Sequence, residues 1–134
     1  MELNLKRKDW NVMRAHVQAH APLEACGLLA GKNNLVEKVL LIENQARSRV
    51  KFRMDPKEQL KAFNWIESNG LELIGIFHSH PAGPETVSAT DIEEAAYAVM
   101  QVVWSRTKDD WTARGFWIEN KQVAEMSLKV IDGE

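Results

Sequence analysis

The chain has 134 residues, enough for one domain around a single hydrophobic core, and its 45% apolar and 27% charged residues suit a soluble globular protein. Seventeen basic against nineteen acidic side chains leave a formal charge of -2, which excludes a general basic field for nucleic acid. Cys26 is the only cysteine, no apolar run approaches a membrane span, and Met1 to Lys8 lacks the apolar stretch of a secretory signal. An internal disulfide is thus excluded, and one cytoplasmic domain over residues 1–134 is expected.

Leu3 and Leu5 alternate with polar residues and predict a short first strand. Trp10, Met13 and Val17 recur at helical spacing, which predicts an amphipathic helix over about residues 8–20, ended by Ala21-Pro22. Ala25 to Gly31 is a small-residue apolar run suited to a buried strand. Lys32-Asn33-Asn34 marks a turn, and Leu35 to Ile42 is the returning strand of a hairpin. Val50, Phe52 and Met54 alternate with charged residues and predict a half-buried strand.

Asp55-Pro56 predicts a helix start, with Asp55 as N-cap, Leu60, Phe63 and Ile66 on the buried face, and Asn69-Gly70 as the stop. Leu71 to Phe77 suits a strand buried on both faces. Pro81-Ala82-Gly83-Pro84 predicts a loop over 81–87, after which Ser88 opens a helix carrying Ile92, Ala95, Ala96, Val99 and Met100. Val102 to Trp104, Ala113 to Ile118 and Val123 to Ile131 are the last predicted strands. Helices interleaved with strands and hairpins give an α/β fold with a mixed β-sheet flanked by helices.

Chemistry concentrates in His78-Ser79-His80-Pro81, Ser88 and Asp91. Residues i and i+2 of a strand share a face, so both imidazoles can reach one ion at the strand end. The proline-glycine loop lets the chain fold back and bring Asp91 to the same ion. Two imidazoles and a carboxylate suit zinc, and three protein ligands leave a fourth position open for water, the mark of a catalytic site. Ser88 and Asp91 also have the spacing of a helix capping box.

The run His78-Ser79-His80-Pro81, six residues, Ser88, two residues, Asp91 resembles the JAMM signature of MPN-domain metalloproteases. Glu24, followed by Ala25-Cys26-Gly27-Leu28-Leu29-Ala30-Gly31, is similar to that family's upstream glutamate and small-residue strand. The resemblance implies an MPN (cytidine-deaminase-like) domain with one zinc ion held by His78, His80 and Asp91. It implies Glu24 as general base and then general acid, and Ser88 as hydrogen-bond donor to the oxygen that becomes negative. The implied substrate is the C-terminal tail of a ubiquitin-like or sulfur-carrier protein, extended and added as a strand beside the site. A chain this short, with no cysteines for an added structural zinc, fits a small prokaryotic-type enzyme better than a linkage-specific polyubiquitin protease. The alternatives are a non-catalytic MPN scaffold, against which the complete residue set stands, and a repair hydrolase, against which the balanced charge stands.

Other candidates are weaker. His16 and His20 have chelating spacing, but Val17 stands where a zincin carries glutamate, and they fall beside the buried helix face. Cys26 lies in an apolar strand, where cysteine acts as a small hydrophobe. Trp65, Trp104 and Trp117 are expected in core or half-buried positions, and Trp10 and Trp111 are candidates for a partner surface. The basic residues of Arg47 to Arg53 would line one face of a strand, either as a charged edge or as a dock for an acidic partner.

Overall fold

Leu3 and Leu5 point into the core and build β1, Glu2–Lys6. In the computed structural model, which describes residues 2–132, the chain passes directly into α1, Arg7–His20. Met13 and Val17, one turn apart, are fully buried, and Trp10 packs on Trp104 with ring centroids 4.6 Å apart. β2 (Cys26–Lys32) and β3 (Leu35–Ile42) form an antiparallel hairpin. Its turn places Asn33 and Asn34 at φ of 52° and 64°, a left-handed conformation that asparagine tolerates.

Then follow α2 (Pro56–Ser68), β4 (Glu72–His80), α3 (Ala89–Glu93), β5 (Met100–Thr107), β6 (Asp110–Glu119) and β7 (Gln122–Ile131). The sheet runs β1-β3-β2-β4-β5-β6-β7 and closes into a barrel through parallel pairing of β1 with β7, from Glu2 opposite Ser127 to Lys6 opposite Ile131. β4 and β5 are also parallel, whereas β2 pairs antiparallel with both neighbours, so the sheet is mixed. No helix among the described residues is long and apolar enough to cross a membrane.

The barrel sheet separates two cores. On one side lie Leu3, Leu5, Met13, Val17, Leu29, Phe77 and Trp104. On the other, Cys26, Leu28, Ile42, Met54, Ala62 and Ile76 pack together. β2 is buried on both faces, which is why its sequence is continuously apolar instead of alternating. A Cβ added to Gly27 would sit 2.3 Å from the Phe77 ring and 2.6 Å from the Leu40 carbonyl oxygen. Gly27→Ala is therefore expected to destabilise the fold by about 1–3 kcal/mol, measured as a lowered urea midpoint with unchanged m-value.

Several expectations are corrected. Residues 50–54 are not a strand; their contact with the preceding segment is a single bridge between Asn44 and Met54. A side chain makes the remaining ties there, a contact that alternation cannot reveal. The helix after Ser88 stops at Glu93, because Met100 already pairs with Gly75 in the β4–β5 ladder and leaves only a short crossing segment. Ile92, Ala95, Ala96 and Val99 thus have helical spacing without one helix to carry them. Leu60 is 61% exposed, and Ala62 takes the buried position beside Ile66. Trp111 is buried and no partner surface, whereas Trp65 is exposed and stacked under the Lys38 ammonium at 5.9 Å.

Candidate metal centre

β4 positions the two histidines. Ile76, His78 and His80 alternate with Phe77 and Ser79, and Ile76 belongs to the core that also holds Cys26 and Ala62, so both imidazoles emerge on that face. His78 pairs in register with Cys26 of β2, which directly follows Ala25 and Glu24. Ser79, on the other face, holds that junction: its Oγ accepts from the Ala25 N–H at 2.8 Å, and its own N–H donates to the Ala25 carbonyl at 3.0 Å.

The third group arrives from α3. Asp91 Oδ2 lies 3.0 Å from His78 Nε2 and 3.1 Å from His80 Nε2, and those two nitrogens are 3.1 Å apart. Tetrahedral ligands about 2.0–2.1 Å from one ion are roughly 3.3 Å apart, so this triangle of donor atoms is spaced as a single small ion needs. His80 Nδ1 donates to the Pro84 carbonyl at 2.9 Å, so that once Nε2 gives up its proton its lone pair would face an ion in the triangle. The capping box exists as well: Ser88 Oγ accepts from the Asp91 N–H at 3.0 Å, and the Ser88 N–H donates to Asp91 Oδ2 at 2.8 Å. Cap and cluster are one arrangement, since the cap aims the carboxylate.

Glu24 completes the group. It is 2% exposed, one of its carboxyl oxygens and a ring nitrogen of each of His78 and His80 lie within 4.8 Å of one another, and its Oε1 has no hydrogen-bond partner among the described residues. Burial pushes its carboxyl up to about 8, with His80 acting against that shift and Asp91 adding to it. The second carboxylate goes the other way. Burial alone would raise Asp91, but hydrogen bonds from His78 and His80 hold it well below the usual carboxylate range. Burial lowers His78, whereas for His80 the Asp91 and Pro84 hydrogen bonds outweigh burial and raise it. One site thus holds a carboxyl kept ionised by its hydrogen bonds beside another raised toward neutrality by burial, two environments that drive the pair apart.

The structure therefore brings together Glu24, His78, His80, Ser88 and Asp91. His16 and His20 stay outside the triangle. His20 Nδ1 donates to the His16 carbonyl at 2.9 Å, and His16 is half-buried and pushed down to about 4, chiefly by burial. Cys26 donates its thiol to the Ile42 carbonyl and burial pushes it up to about 12, so it is inert. Sequence reasoning did not find Asn44 or Ser79, whose partners lie far along the chain, and it read Phe52 as a strand residue. Phe52 in fact stacks on His78 with ring centroids 4.6 Å apart. Two cavities flank the cluster. One of about 220 Å³ is bordered by Asp91, Phe52, Met54, Ile76 and Gln101, and one of about 490 Å³ by Glu24, His16, Glu43 and Glu58.

Fold and cluster together define a metal-dependent hydrolase of mixed-sheet architecture. The family model for prokaryotic homologs of the JAB domain matches residues 6–119. A desampylase from Pyrococcus furiosus is 38% identical over 116 residues, covering 85% of this chain and 81% of that protein. The CysO-cysteine peptidase of Mycobacterium tuberculosis is 32% identical over 126 residues, covering 91% and 86%. A solution structure of a Desulfitobacterium hafniense protein superposes with a TM-score of 0.88 at 33% identity, covering 99% of this chain and 94% of the other. The chain belongs to the prokaryotic JAB-domain family, and it is a metallopeptidase of the JAMM type.

Proposed function

We propose that this chain is a zinc-dependent peptidase that hydrolyses the amide or isopeptide bond at the C-terminal tail of a ubiquitin-like or sulfur-carrier protein. The carrying observation is the convergence of His78 Nε2, His80 Nε2 and Asp91 Oδ2 at 3.0–3.1 Å, with the unpartnered Glu24 carboxyl beside them. His78, His80 and Asp91 hold the ion, one per chain. When bound, zinc supplies the Lewis acidity that activates water and polarises the scissile carbonyl. Glu24 takes the water's proton and passes it to the leaving amine.

Ser88 stabilises the developing oxyanion. Its Oγ already accepts the Asp91 N–H, so its own hydroxyl hydrogen is free to donate. These two roles orient the substrate. The leaving nitrogen faces Glu24 and the 490 Å³ cavity, and the glycine-ended tail lies on the side of Asp91 and the 220 Å³ cavity, held by main-chain hydrogen bonds. A cytoplasmic location belongs to the same proposal, supported by the single buried thiol, Cys26.

The test is zinc-loaded protein against Gly-Gly-ended carrier proteins joined to a lysine peptide, with released carrier read by mass spectrometry. Release of intact carrier is expected; conjugates that stay whole across the cell's own carriers would sink the proposal. Ser88→Ala is expected to lower kcat by roughly the 2.7–4 kcal/mol typical of a lost oxyanion donor. Loss of the cap alone costs only about 1 kcal/mol of stability, so a rate unchanged beside a lowered melting temperature would reduce Ser88 to a helix cap.

A further inference from the structure

Asn44 lies two residues beyond the end of β3, is 7% exposed, and uses every hydrogen-bonding position of its amide. Its Nδ2 donates to the Glu24 carbonyl at 3.0 Å and to the Lys51 carbonyl at 3.1 Å. Its Oδ1 accepts from the Ala46 N–H at 3.0 Å and the Arg53 N–H at 2.9 Å. A flipped amide would set oxygen against two carbonyls and NH₂ against two N–H groups, so the network fixes its orientation.

These four bonds join two parts of the site that are distant in sequence. One is the backbone of Glu24, gripped again by its own N–H donating to the Ser48 carbonyl at 2.8 Å. The other is the strap of residues 45–53, closed at its base where the Gln45 N–H donates to the Arg53 carbonyl at 2.7 Å. Phe52 of this strap stacks on the His78 ring at an interplanar angle of 23°. Among the described residues, no hydrogen bond holds Glu24 Oε1, and none holds His78 Nδ1. The carboxyl tip is therefore aimed by its main chain, and one face of His78 is braced by Phe52. Both constraints run through Asn44.

Resting on the reading of Glu24 as the proton acceptor, we infer that Asn44 is a positioning residue of the hydrolytic site. It holds the Glu24 carbonyl in place and, through the strap, keeps Phe52 against His78. It touches neither substrate nor ion. A turn residue that served folding alone would cost stability when replaced and leave the rate per folded molecule intact. A residue that aims the proton acceptor costs rate, because a misplacement of about 1 Å can lower turnover by about a hundredfold.

Two variants separate these outcomes. Asn44→Ala removes all four bonds. Asn44→Asp keeps an acceptor for Ala46 and Arg53 and removes both donors, including the one to Glu24. Wild type and both variants would be compared for kcat and KM on a carrier conjugate, zinc per chain, melting temperature, and amide hydrogen exchange at Glu24 and Arg53. Expected is a fall in kcat of about 10- to 100-fold in both variants with KM within about threefold and zinc retained. Exchange at Glu24 is expected to quicken about tenfold or more in Asn44→Ala. Asn44→Asp turning over within about threefold of wild type would overturn the inference, and so would a rate loss that only follows loss of zinc or of folded protein. Wild type inactive on every conjugate would overturn the peptidase reading first, and this inference with it.

Discussion

Glu24→Gln is expected to lower kcat by about 10²–10⁴-fold while zinc per chain stays at about one, since a general base contributes that much and Gln keeps the shape without the proton affinity. Glu24 is suited to that proposed task because burial has raised its carboxyl to about 8, near the pH at which it would take a proton from water and return it to an amine. The same burial has a cost in the metal-free protein. The group's folded value lies above its ordinary 4.5, so the stability it permits is fully present below about 4.5 and is lost as pH rises through about 8. Melting temperature of metal-free wild type is therefore expected to decline across that window, and Glu24→Gln to flatten the decline and melt higher at pH 8. If Glu24→Gln lost zinc along with activity, the carboxylate would be a ligand and no base. If it kept full activity, the proton would have to be taken elsewhere.

Part of the site was legible in the sequence and part was not, and the division is physical. His78, His80, Ser88 and Asp91 fall within one strand, one loop and one helix turn, so their spacing alone brings them together. Glu24 was linked to them by resemblance, and the register of Cys26 opposite His78 gives the geometric basis. Asn44 and Ser79 act on main-chain groups 20 and 54 positions away, which no local pattern encodes. The fold divides the same way. β1, α1, the β2–β3 hairpin and α2 follow from periodicity and caps, and Asp55 does accept from the Lys57 and Glu58 N–H groups as an N-cap. Closure of the barrel by β1 against β7 and the early stop of α3 are set by long-range pairing, and there periodicity misled.

Asp91→Asn is expected to reduce bound zinc from about one per chain to below about 0.1 when equilibrated at micromolar metal, with the fold kept. Asn preserves the side chain's size and can still accept the Ser88 N–H, so α3 keeps its cap. It removes the negative charge that both imidazoles face, and that charge is what the hydrogen bonds from His78 and His80 hold so firmly ionised. An ion bound only by the folded state stabilises it by about 4 kcal/mol at a thousandfold excess over Kd. A chelator should accordingly lower the melting temperature of wild type by roughly 10 °C and leave Asp91→Asn unmoved. Wild type indifferent to both zinc and chelator would remove the metal from the account. Equal zinc binding by wild type and Asp91→Asn would instead move the third ligand to Glu24, whose ligand atom also lies within 4.8 Å of both imidazole donors. Asp91 would then be the cap of α3 and nothing more, and the proton acceptor would have to be sought outside the cluster.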